Sequence, residues 1–520
     1  MHASEKSLAL AVDLPAARRG EACEATAASS EADTPQQQRV ATALAAVEPL
    51  STRASWAARF LWAMRFGFIP AERVRSASGA SAGALLLDDF ALPLTPSDPE
   101  RTWRDAAITL AQGCGVGYDL SPLPPQPAAG AHSADAPRPG PLAVLGMFEE
   151  RGRLLASHAS SDRGPSGGPG RQAATLRIDH PDIEAYIDAG DTLSGFTLSV
   201  GVTDAFMHAL SDDALVPLVH EVPPAPQGPP HSAQATSRSD DGRWIHGRVR
   251  ARALWHLLAA RASERGSLGV LFLDTIHRDN NLGAIEPIGA VAPGSQVPLP
   301  AHGGACLGLI DLAPLVRQPF SADASFDAVA FARVVRLAVR MLDNVLELSA
   351  WPAPALQRAA RASRRIGLGF TGLADALTML GLRDDSEPAR AWARHVARLL
   401  RDTAYGASVD LAIERGSFEA CAGADLSGGR GGFVARLPDV VHERVQAHGL
   451  RHAQLLAMPA DLELAMAAAV APFVDGAIGC TVALAPRALG SDVERLFAGA
   501  WSAGLKSIRT TRAPVADPGS

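Results

Sequence analysis

The chain has 520 residues, of which 47% are hydrophobic and 20% charged, and its formal net charge at pH 7 is −7. This length exceeds that of one ordinary domain, and the composition is that of a globular protein with enough apolar residues to bury a large core. The negative net charge gives no indication of a basic surface for nucleic acid or an anionic membrane. No stretch approaches the ~18 consecutive apolar residues of a membrane span. We therefore expect neither nucleic acid nor a membrane as a partner.

The cysteines are isolated from one another in the sequence. They are Cys23, Cys114, Cys306, Cys421 and Cys480. No CxxC pair and no metal-ligand spacing occurs among them, so neither a disulfide framework nor a structural zinc site is predicted. The N-terminal apolar run precedes its arginines, which is the opposite polarity to a signal peptide, and a cytoplasmic location is expected.

The first predicted elements alternate between helices and strands. Residues 1–50 have little apolar periodicity and predict a disordered or weakly ordered leader. Apolar residues at helical spacing predict a helix over Trp56–Phe66, which ends before Pro70. The apolar run at 268–276 predicts a strand buried on both faces, and residues 331–349 give the longest helix signal. Such alternation predicts an α/β fold with a parallel sheet.

Three segments rich in Gly, Ser and Pro predict loop insertions. They are residues 121–141, 160–170 and 221–242. Around them we expect one folded body over residues 51–512, followed by a tail at 513–520.

Five segments resemble, in order, signatures of the adenosylcobalamin-dependent (class II) ribonucleotide reductases. The first is the glycine-rich turn LAQGCGVGYDLSPL. The others are a His-Pro-Asp-Ile-Glu helix with its following strand, a strand leading into the active-site finger loop, the signature RRIGLGFTGLADALTMLGL and a C-terminal block. They span residues 110–123, 174–210, 272–300, 364–382 and 473–512. On these segments the chain is identified as a member of the family, similar to the large catalytic subunit of ribonucleoside-diphosphate reductase over roughly residues 50–512.

The resemblance implies a fold, a cofactor and a reaction. The fold is the ten-stranded α/β barrel of ribonucleotide reductases, preceded by a short helical region. Adenosylcobalamin is the implied cofactor, and the reaction converts ribonucleotides to deoxyribonucleotides, the precursors of DNA. The family holds its substrate phosphates in a loop at a helix N-terminus, whereas here residues 449–470 run from a strand directly into a helix. We therefore expect a barrel that is incomplete at its C-terminal end.

The finger loop lacks the reacting side chains that the resemblance implies. The family has Asn, Cys and Glu where this chain has Ala292, Gly294 and Gln296, and the flanking PLP (298–300) and LGLIDL (307–312) fix this register. In the family a thiyl radical on the cysteine abstracts the 3′-hydrogen of ribose, the glutamate removes a hydroxyl proton, and the asparagine holds the hydroxyls. Gly294 has no S–H bond, Gln296 is not a base at neutral pH and Ala292 has no polar group. No intact catalytic set and no metal ligand is therefore predicted.

Other functional groups of the family are also not found. The resemblance implies two cysteines that reduce the substrate, but residues 81–90 contain none and Ile285 stands at the second position. Cys306 is interpreted as a buried structural thiol. The loop that replaces the arginine-rich specificity loop keeps two cations, Arg171 and Arg177.

Two short patterns are given structural interpretations. The run GCGVG (113–117) does not have the G-x-G-x-x-G spacing of a dinucleotide site. His180 is interpreted as a residue at the start of a helix rather than a metal ligand, and Asp182 and Glu184 suit the first helical turn, where negative charge complements the macrodipole.

The leading hypothesis is a ribonucleotide-reductase-like protein that has lost catalysis and acts as an interaction or regulatory protein, with another protein as its partner. Two alternatives stay open: an active adenosylcobalamin-dependent reductase that uses another cysteine, and a sensor that binds a ribonucleotide or cobalamin. A surviving substrate pocket would draw its contacts from Ser199, Asn281, Glu286 and Ser295. Ordinary hydrogen bonding in loops and at strand ends is the alternative explanation for these four residues.

Overall fold

The structure is a computed structural model that describes residues 34–77, 83–126, 139–158, 170–224, 237–265, 268–293, 297–423, 426, 432–458 and 462–512. Within these ranges the α-helices are, in chain order, α1 (Thr34–Leu44), α2 (Arg53–Arg65), α3 (Glu72–Ala77), α4 (Pro99–Ala111), α5 (Pro141–His158), α6 (Ile183–Asp188), α7 (Asp204–Ser211), α8 (Ala251–Arg265), α9 (Leu273–Asp279), α10 (Ala328–Leu348), α11 (Pro354–Ser363), α12 (Leu373–Met379), α13 (Glu387–Arg415), α14 (Asp439–His448), α15 (Leu464–Val470) and α16 (Gly490–Ser502). The strands are β1 (Phe68–Pro70), β2 (Asp89–Pro93), β3 (Gly115–Asp119), β4 (Gln172–Arg177), β5 (Phe196–Val202), β6 (Leu215–His220), β7 (Trp244–Arg250), β8 (Leu268–Phe272), β9 (Ile288–Val291), β10 (Pro298–Pro300), β11 (Gly304–Ala305), β12 (Leu307–Asp311), β13 (Val316–Arg317), β14 (Ser325–Phe326), β15 (Gly367–Thr371), β16 (Cys480–Leu484) and β17 (Ser507–Arg512).

The chain divides into two compact units. Unit 1 contains the described residues of Met1–Asp88, Arg278–Glu286 and Gly303–Gly479. Unit 2 contains those of Asp89–His277, Pro287–His302 and Cys480–Ser520.

Unit 2 is built on a sheet with the strand order β2-β3-β4-β5-β8-β17-β16. The strands from β2 to β8 run parallel to their neighbours, β17 is antiparallel to β8, and β16 is parallel to β17. Helices between successive parallel strands supply the crossover connections that parallel pairing requires. The buried strand predicted at 268–276 is confirmed over 268–272, where all five residues of β8 are buried. The prediction is wrong for residues 273–276, which belong to α9.

Unit 1 contains a smaller sheet in the order β1-β12-β15. Strand β12 is parallel to β15 and antiparallel to β1, and single parallel bridges join Leu368 to Leu456 and Met458 to Ile478. The predicted helix at 331–349 is confirmed as α10, whose apolar face is buried. The longest helix of the described ranges is α13, with 29 residues. After Met458 the chain reaches α15 at Leu464, so a helix follows this strand position directly.

The α/β class predicted from the sequence is confirmed, and so is the helix over Trp56–Phe66, which forms as α2. Most of the three predicted loop insertions lie outside the described residues, at 127–138, 159–169 and 225–236. None of the helices in the described ranges combines the length and apolar content that a membrane crossing requires.

The predicted leader over residues 1–50 is wrong in its second part. Helix α1 begins at Thr34, and Glu48 has only 1% of its surface exposed. The Glu48 carboxylate accepts hydrogen bonds from Arg340 (2.7 and 2.6 Å) and from Arg415 (2.7 Å). These contacts join residues 34–50 to helices more than 290 residues away in the sequence. Apolar periodicity within a segment does not reveal such tertiary contacts. The buried apolar side chains of this segment are Val40, Ala41, Leu44 and Ala45.

Candidate functional site

The two sides of the finger loop pair with each other in unit 2. We call β9, β10 and the described residues between them (292, 293 and 297) the finger hairpin. The two strands are antiparallel, with Val291 opposite Pro298, and the Ala292 N–H donates to the Val297 carbonyl oxygen at 2.8 Å. Ala292 is completely buried. The other two finger positions, Gly294 and Gln296, lie outside the described residues, as does Ser295.

The glycine-rich run provides the surface on which the finger hairpin packs. A Cβ added to Gly117 would collide with the Val291 carbonyl oxygen, and one added to Gly289 would collide with the Asp119 carboxylate. Near the end of β9, a Cβ on Gly115 would lie 3.2 Å from Cγ of Pro293. The glycines therefore permit close approach of two backbones, which explains the pattern without a dinucleotide.

The surroundings of the finger hairpin are apolar. Its strand β9 joins a buried hydrophobic cluster made of Ala173, Leu271, Leu273, Ile276, Ile288 and Val291. The buried Ala292 contributes no polar atom to a sugar hydroxyl, and the sequence supplies no thiol at Gly294. The residues of the finger therefore do not fit the chemistry of adenosylcobalamin, which requires a sulfur atom to carry the radical.

Cys306, in unit 1, has the properties of a structural thiol. It is 3% exposed, and its Sγ donates to the Leu342 carbonyl oxygen at 3.7 Å. Burial raises the pKa of this thiol far above its usual value. Burial also raises the pKa of Cys480, to about 11. Both sulfurs are protonated at neutral pH, as expected of inert buried cysteines.

Of the four residues predicted to line a substrate pocket, the structure describes Ser199, Asn281 and Glu286. Ser199 lies in β5 of unit 2, is 4% exposed and belongs to the core of the sheet. Asn281, in unit 1, donates to the Tyr405 hydroxyl (3.2 Å) and to the Ala453 carbonyl (2.9 Å), and accepts from the Val434 N–H (3.0 Å). Such complete pairing indicates a structural role for the amide.

Glu286 also has a structural partner in unit 1. Its carboxylate forms an ion pair with Arg365, which is 5% exposed. It accepts a weaker hydrogen bond from the Asn280 side chain at 3.4 Å. Neither Glu286 nor Asn281 lines the cavity described next.

Unit 2 contains a cavity of about 390 Å³ at the base of the finger hairpin, which we call the finger-base cavity. It opens where β3 ends at Asp119, where β4 ends at Arg177 and where β8 passes into Leu273. Ligands of open parallel sheets bind at the carboxyl ends of the strands. The volume falls within the roughly 300–1,000 Å³ of small-molecule sites. No local sequence pattern marks this cavity, because three separate strands and the finger hairpin contribute to it.

Charges in the wall of the finger-base cavity are largely paired with each other. Arg177 donates twice to Asp179 (2.9 and 2.7 Å), and Arg243 donates to Asp179 (3.1 Å) and Asp241 (2.7 Å). Burial would raise the pKa of Asp179, but its hydrogen bonds and charge interactions with the arginines outweigh burial and lower it. Arg177, one of the two cations predicted for the specificity loop, is therefore already neutralised by a neighbour.

The histidines of the cavity wall are neutral at pH 7. Burial lowers the pKa of His180 to about 4, and it also lowers the pKa of His220 and His277. His180 stands before α6, with Asp182 at the N-cap position and Glu184 in the first turn, as predicted. Within the described residues no group of His, Cys, Asp and Glu side chains has the arrangement of a metal site.

Comparison with known proteins assigns the family. The model of the ribonucleotide reductase barrel domain matches residues 99–461. The vitamin B12-dependent ribonucleoside-diphosphate reductase of Mycobacterium tuberculosis is 34% identical over 382 residues, which are 72% of this chain and 50% of that protein. The enzyme of the same name from Thermoplasma acidophilum is 29% identical over 366 residues, 69% of this chain and 43% of that protein. The ribonucleoside-diphosphate reductase large subunit of variola virus is 23% identical over 344 residues, 63% of this chain and 43% of that protein.

The chain spans about half the length, or less, of these relatives. The match to the barrel domain nevertheless extends over more than half of the chain and includes β3, β4, β5, β8 and the finger hairpin. The chain therefore belongs to the ribonucleotide reductase family and is similar to its vitamin B12-dependent, class II large subunit.

Proposed function

We propose that this chain is a ribonucleotide reductase homologue that does not reduce ribonucleotides and acts instead as an interaction or regulatory protein. One observation carries the proposal: the finger hairpin is seated on the glycines of β3, while its reacting positions hold Ala292, Gly294 and Gln296. The strands of the finger hairpin are therefore present, whereas the reacting side chains that the family resemblance implies are not. A cytoplasmic location is part of the proposal, because the isolated cysteines suit a reducing compartment.

Each of the three finger residues lacks a chemical group that the family's reaction requires. Gly294 has no sulfur on which a radical could form, and a C–H bond of glycine does not replace a thiol that must be regenerated in each turnover. The amide of Gln296 is nearly the same size as a carboxylate but does not accept a proton at neutral pH. Ala292 is buried and cannot hold a sugar hydroxyl.

The test is a reductase assay on the full chain. Purified protein is incubated with adenosylcobalamin, a dithiol and each ribonucleoside diphosphate and triphosphate, and deoxyribonucleotides are measured by chromatography. An active vitamin B12-dependent reductase serves as the positive control. We expect no product above the level of a no-enzyme sample, because the finger has no thiol.

Product formation would overturn the proposal and favour an active adenosylcobalamin-dependent reductase. The variant Cys306→Ser then locates the reacting thiol. If the substitution abolishes the product, Cys306 supplies the sulfur despite its burial. If product persists, another cysteine does so, and the assignment of a noncatalytic protein is wrong in either case.

A sensor that binds a ribonucleotide or cobalamin is the second candidate function. The finger-base cavity favours it, since a regulatory protein requires a ligand site but no reacting groups. Titration of the purified chain with adenosylcobalamin, followed by the absorbance of the corrin, tests the cobalamin form of this candidate.

A further inference from the structure

We propose that the finger-base cavity binds an uncharged ligand through two adjacent hydroxyl groups, as a sugar or the ribose of a nucleoside presents them. The lining of this site does not include Ala292, the one reacting position of the finger within the described residues. Its occupation does not depend on whether the chain has reductase activity.

The cavity lies at the end of the finger hairpin where β9 begins. Gly289 contacts Asp119 at the end of β3, whereas Pro293 lies near Gly115 at the start of this strand, so the finger runs antiparallel to β3. The two ends of β3 are four residues apart, or about 13 Å at the rise of a strand. Asp119 and Gly289 line the cavity, whereas Ala292 and Pro293 do not.

Thr175 places a buried hydroxyl without a protein partner in the cavity wall. It lies in β4, two residues before Arg177 and on the same face of the strand, and both residues line the cavity. The Thr175 side chain is 1% exposed, and its hydroxyl has no hydrogen-bond partner. Buried polar groups in folded proteins are nearly always paired. A ligand hydroxyl in the cavity would supply the absent partner.

Asp119 has capacity for further hydrogen bonds. Its Oδ1 accepts from the Ser121 N–H at 3.0 Å, and its Oδ2 lies beside Gly289. A carboxylate offers about four acceptor positions, so it can accept hydrogen bonds from two neighbouring hydroxyls at once. A vicinal diol matches this geometry, because its two O–H groups point in the same direction.

The cavity wall also contains a donor and apolar surface. His277 accepts from the Ile288 N–H through Nε2 at 3.2 Å, so its neutral ring carries the proton on Nδ1. Pro122, Leu273 and Ile288 add apolar wall against which the carbon face of a sugar or a base can pack. The lining thus provides apolar surface for a ligand beside polar groups that can orient it.

The charges of the wall favour a ligand without phosphate. The guanidinium groups of Arg177 and Arg243 are occupied by Asp179 and Asp241, and an entering phosphate would compete with these carboxylates. Burial raises the pKa of Asp119, and in its ionised form this carboxylate would repel an anion that came near the diol position. An uncharged ligand meets neither obstacle.

The test is calorimetric titration of the full chain with adenosine, cytidine, uridine, their 2′-deoxy forms, their diphosphates and free ribose. We expect saturable binding of a ribonucleoside or of ribose, at least tenfold weaker binding of the 2′-deoxy form, and at least tenfold weaker binding of the diphosphate. If free ribose binds as tightly as the nucleosides, the ligand is a sugar. If only nucleosides bind, the apolar wall holds the base.

Two variants link the binding to this cavity. Thr175→Val and Asp119→Asn should each weaken binding at least tenfold, whereas Thr197→Val, in the neighbouring strand β5 and away from the cavity wall, should leave it unchanged. Because the Thr175 hydroxyl has no partner in the folded chain, Thr175→Val should not lower the urea midpoint of unfolding, which separates loss of binding from loss of fold.

No saturable binding of any probe up to about millimolar concentration would overturn the proposal, as would binding that both cavity variants leave intact. Deoxyribonucleotide formation in the reductase assay would overturn the noncatalytic function and leave this site unaffected. The two proposals therefore fail on different measurements.

Discussion

His180 is held neutral inside unit 2 by its neighbours. Its Nδ1 accepts from the Asp182 N–H and its Nε2 bonds to the Leu123 carbonyl oxygen, both at 3.0 Å. The ring is 2% exposed and lies 5.4 Å from the ring of His220 in an edge-on contact. Protonation would remove the acceptor for Asp182 and place a buried charge near a second imidazole, against the weaker attraction of Asp179. The neutral His180 ring thus holds the start of α6 in place by its hydrogen bond with the Asp182 N–H.

The stability of the protein should therefore fall on mild acidification through His180. Burial lowers the pKa of this group from 6.5 to about 4, so its contribution is present above 6.5 and lost as pH falls from 6.5 towards 4. The upper limit of the loss is about 3 kcal/mol. In His180→Gln the decline should be smaller by this contribution, while the part that comes from His220 and His277 remains. The variant should also be less stable at pH 7 by about 1–2 kcal/mol because its hydrogen bonds are altered.

Urea unfolding at intervals between pH 7 and 4 measures the difference. His256→Gln is the matched control, because its side chain is 69% exposed and its curve should parallel that of the wild type. Parallel curves for His180→Gln and the wild type would show that the ring is not the source of the pH dependence.

At the scale of elements, strand β3 and the finger hairpin can pack closely because glycines stand at their contact positions. Gly117 meets the backbone of Val291, and Gly289 meets the side chain of Asp119. Backbone groups cannot move aside as the end of a flexible side chain can. The position of the hairpin therefore depends on glycine at these sites, and the shape of the finger-base cavity depends on the position of the hairpin.

Gly117→Ala should displace the finger hairpin and destabilise the protein by about 1–3 kcal/mol, the usual cost of overpacking. Gly146→Ala is the matched control: Gly146 lies inside α5, and an added Cβ meets nothing within 4 Å. Alanine in that helix should stabilise by roughly 0.5–1 kcal/mol. Thermal unfolding of both variants checks the expectation, and equal shifts of the midpoint in the same direction would contradict it.

Local sequence patterns predict those elements that are buried along one continuous stretch of chain. Helix α10 and strand β8 were predicted because apolar residues at helical spacing, or in an unbroken run, report burial directly. The finger was located by resemblance, from the residues on both sides of Gly294. Helix α1 was missed, because its place in the fold depends on Glu48 and partners remote in sequence. The finger-base cavity was missed for the same reason.

At the scale of the molecule, unit 1 is assembled from stretches that are distant in sequence, and a group of balanced charges joins them. Four carboxylates and four guanidinium groups form one connected set of ion pairs: Glu48, Asp343, Glu347, Glu414, Arg340, Arg364, Arg415 and Arg451. The carboxylates of Glu48 and Asp343 are fully buried. In such a set each buried charge depends on its partners, and the loss of one leaves others uncompensated.

Glu48→Gln should destabilise unit 1 by about 3–5 kcal/mol, because Arg340 and Arg415 lose a buried partner. Burial would raise the pKa of Glu48, but hydrogen bonds from Arg340, Asn344 and Arg415 outweigh burial and lower it from 4.5 to about 2. This contribution to stability is therefore present above pH 4.5 and lost as pH falls towards 2. The stability of Glu48→Gln should not show this decrease in acid.

The control is Glu72→Gln, which alters an exposed pair with Arg75 and should change stability by less than about 0.5 kcal/mol. Urea unfolding of the three proteins at pH 7 and at pH 3 decides the matter: a small effect of Glu48→Gln at pH 7, similar to that of Glu72→Gln, would mean that the N-terminal segment contributes little to the fold.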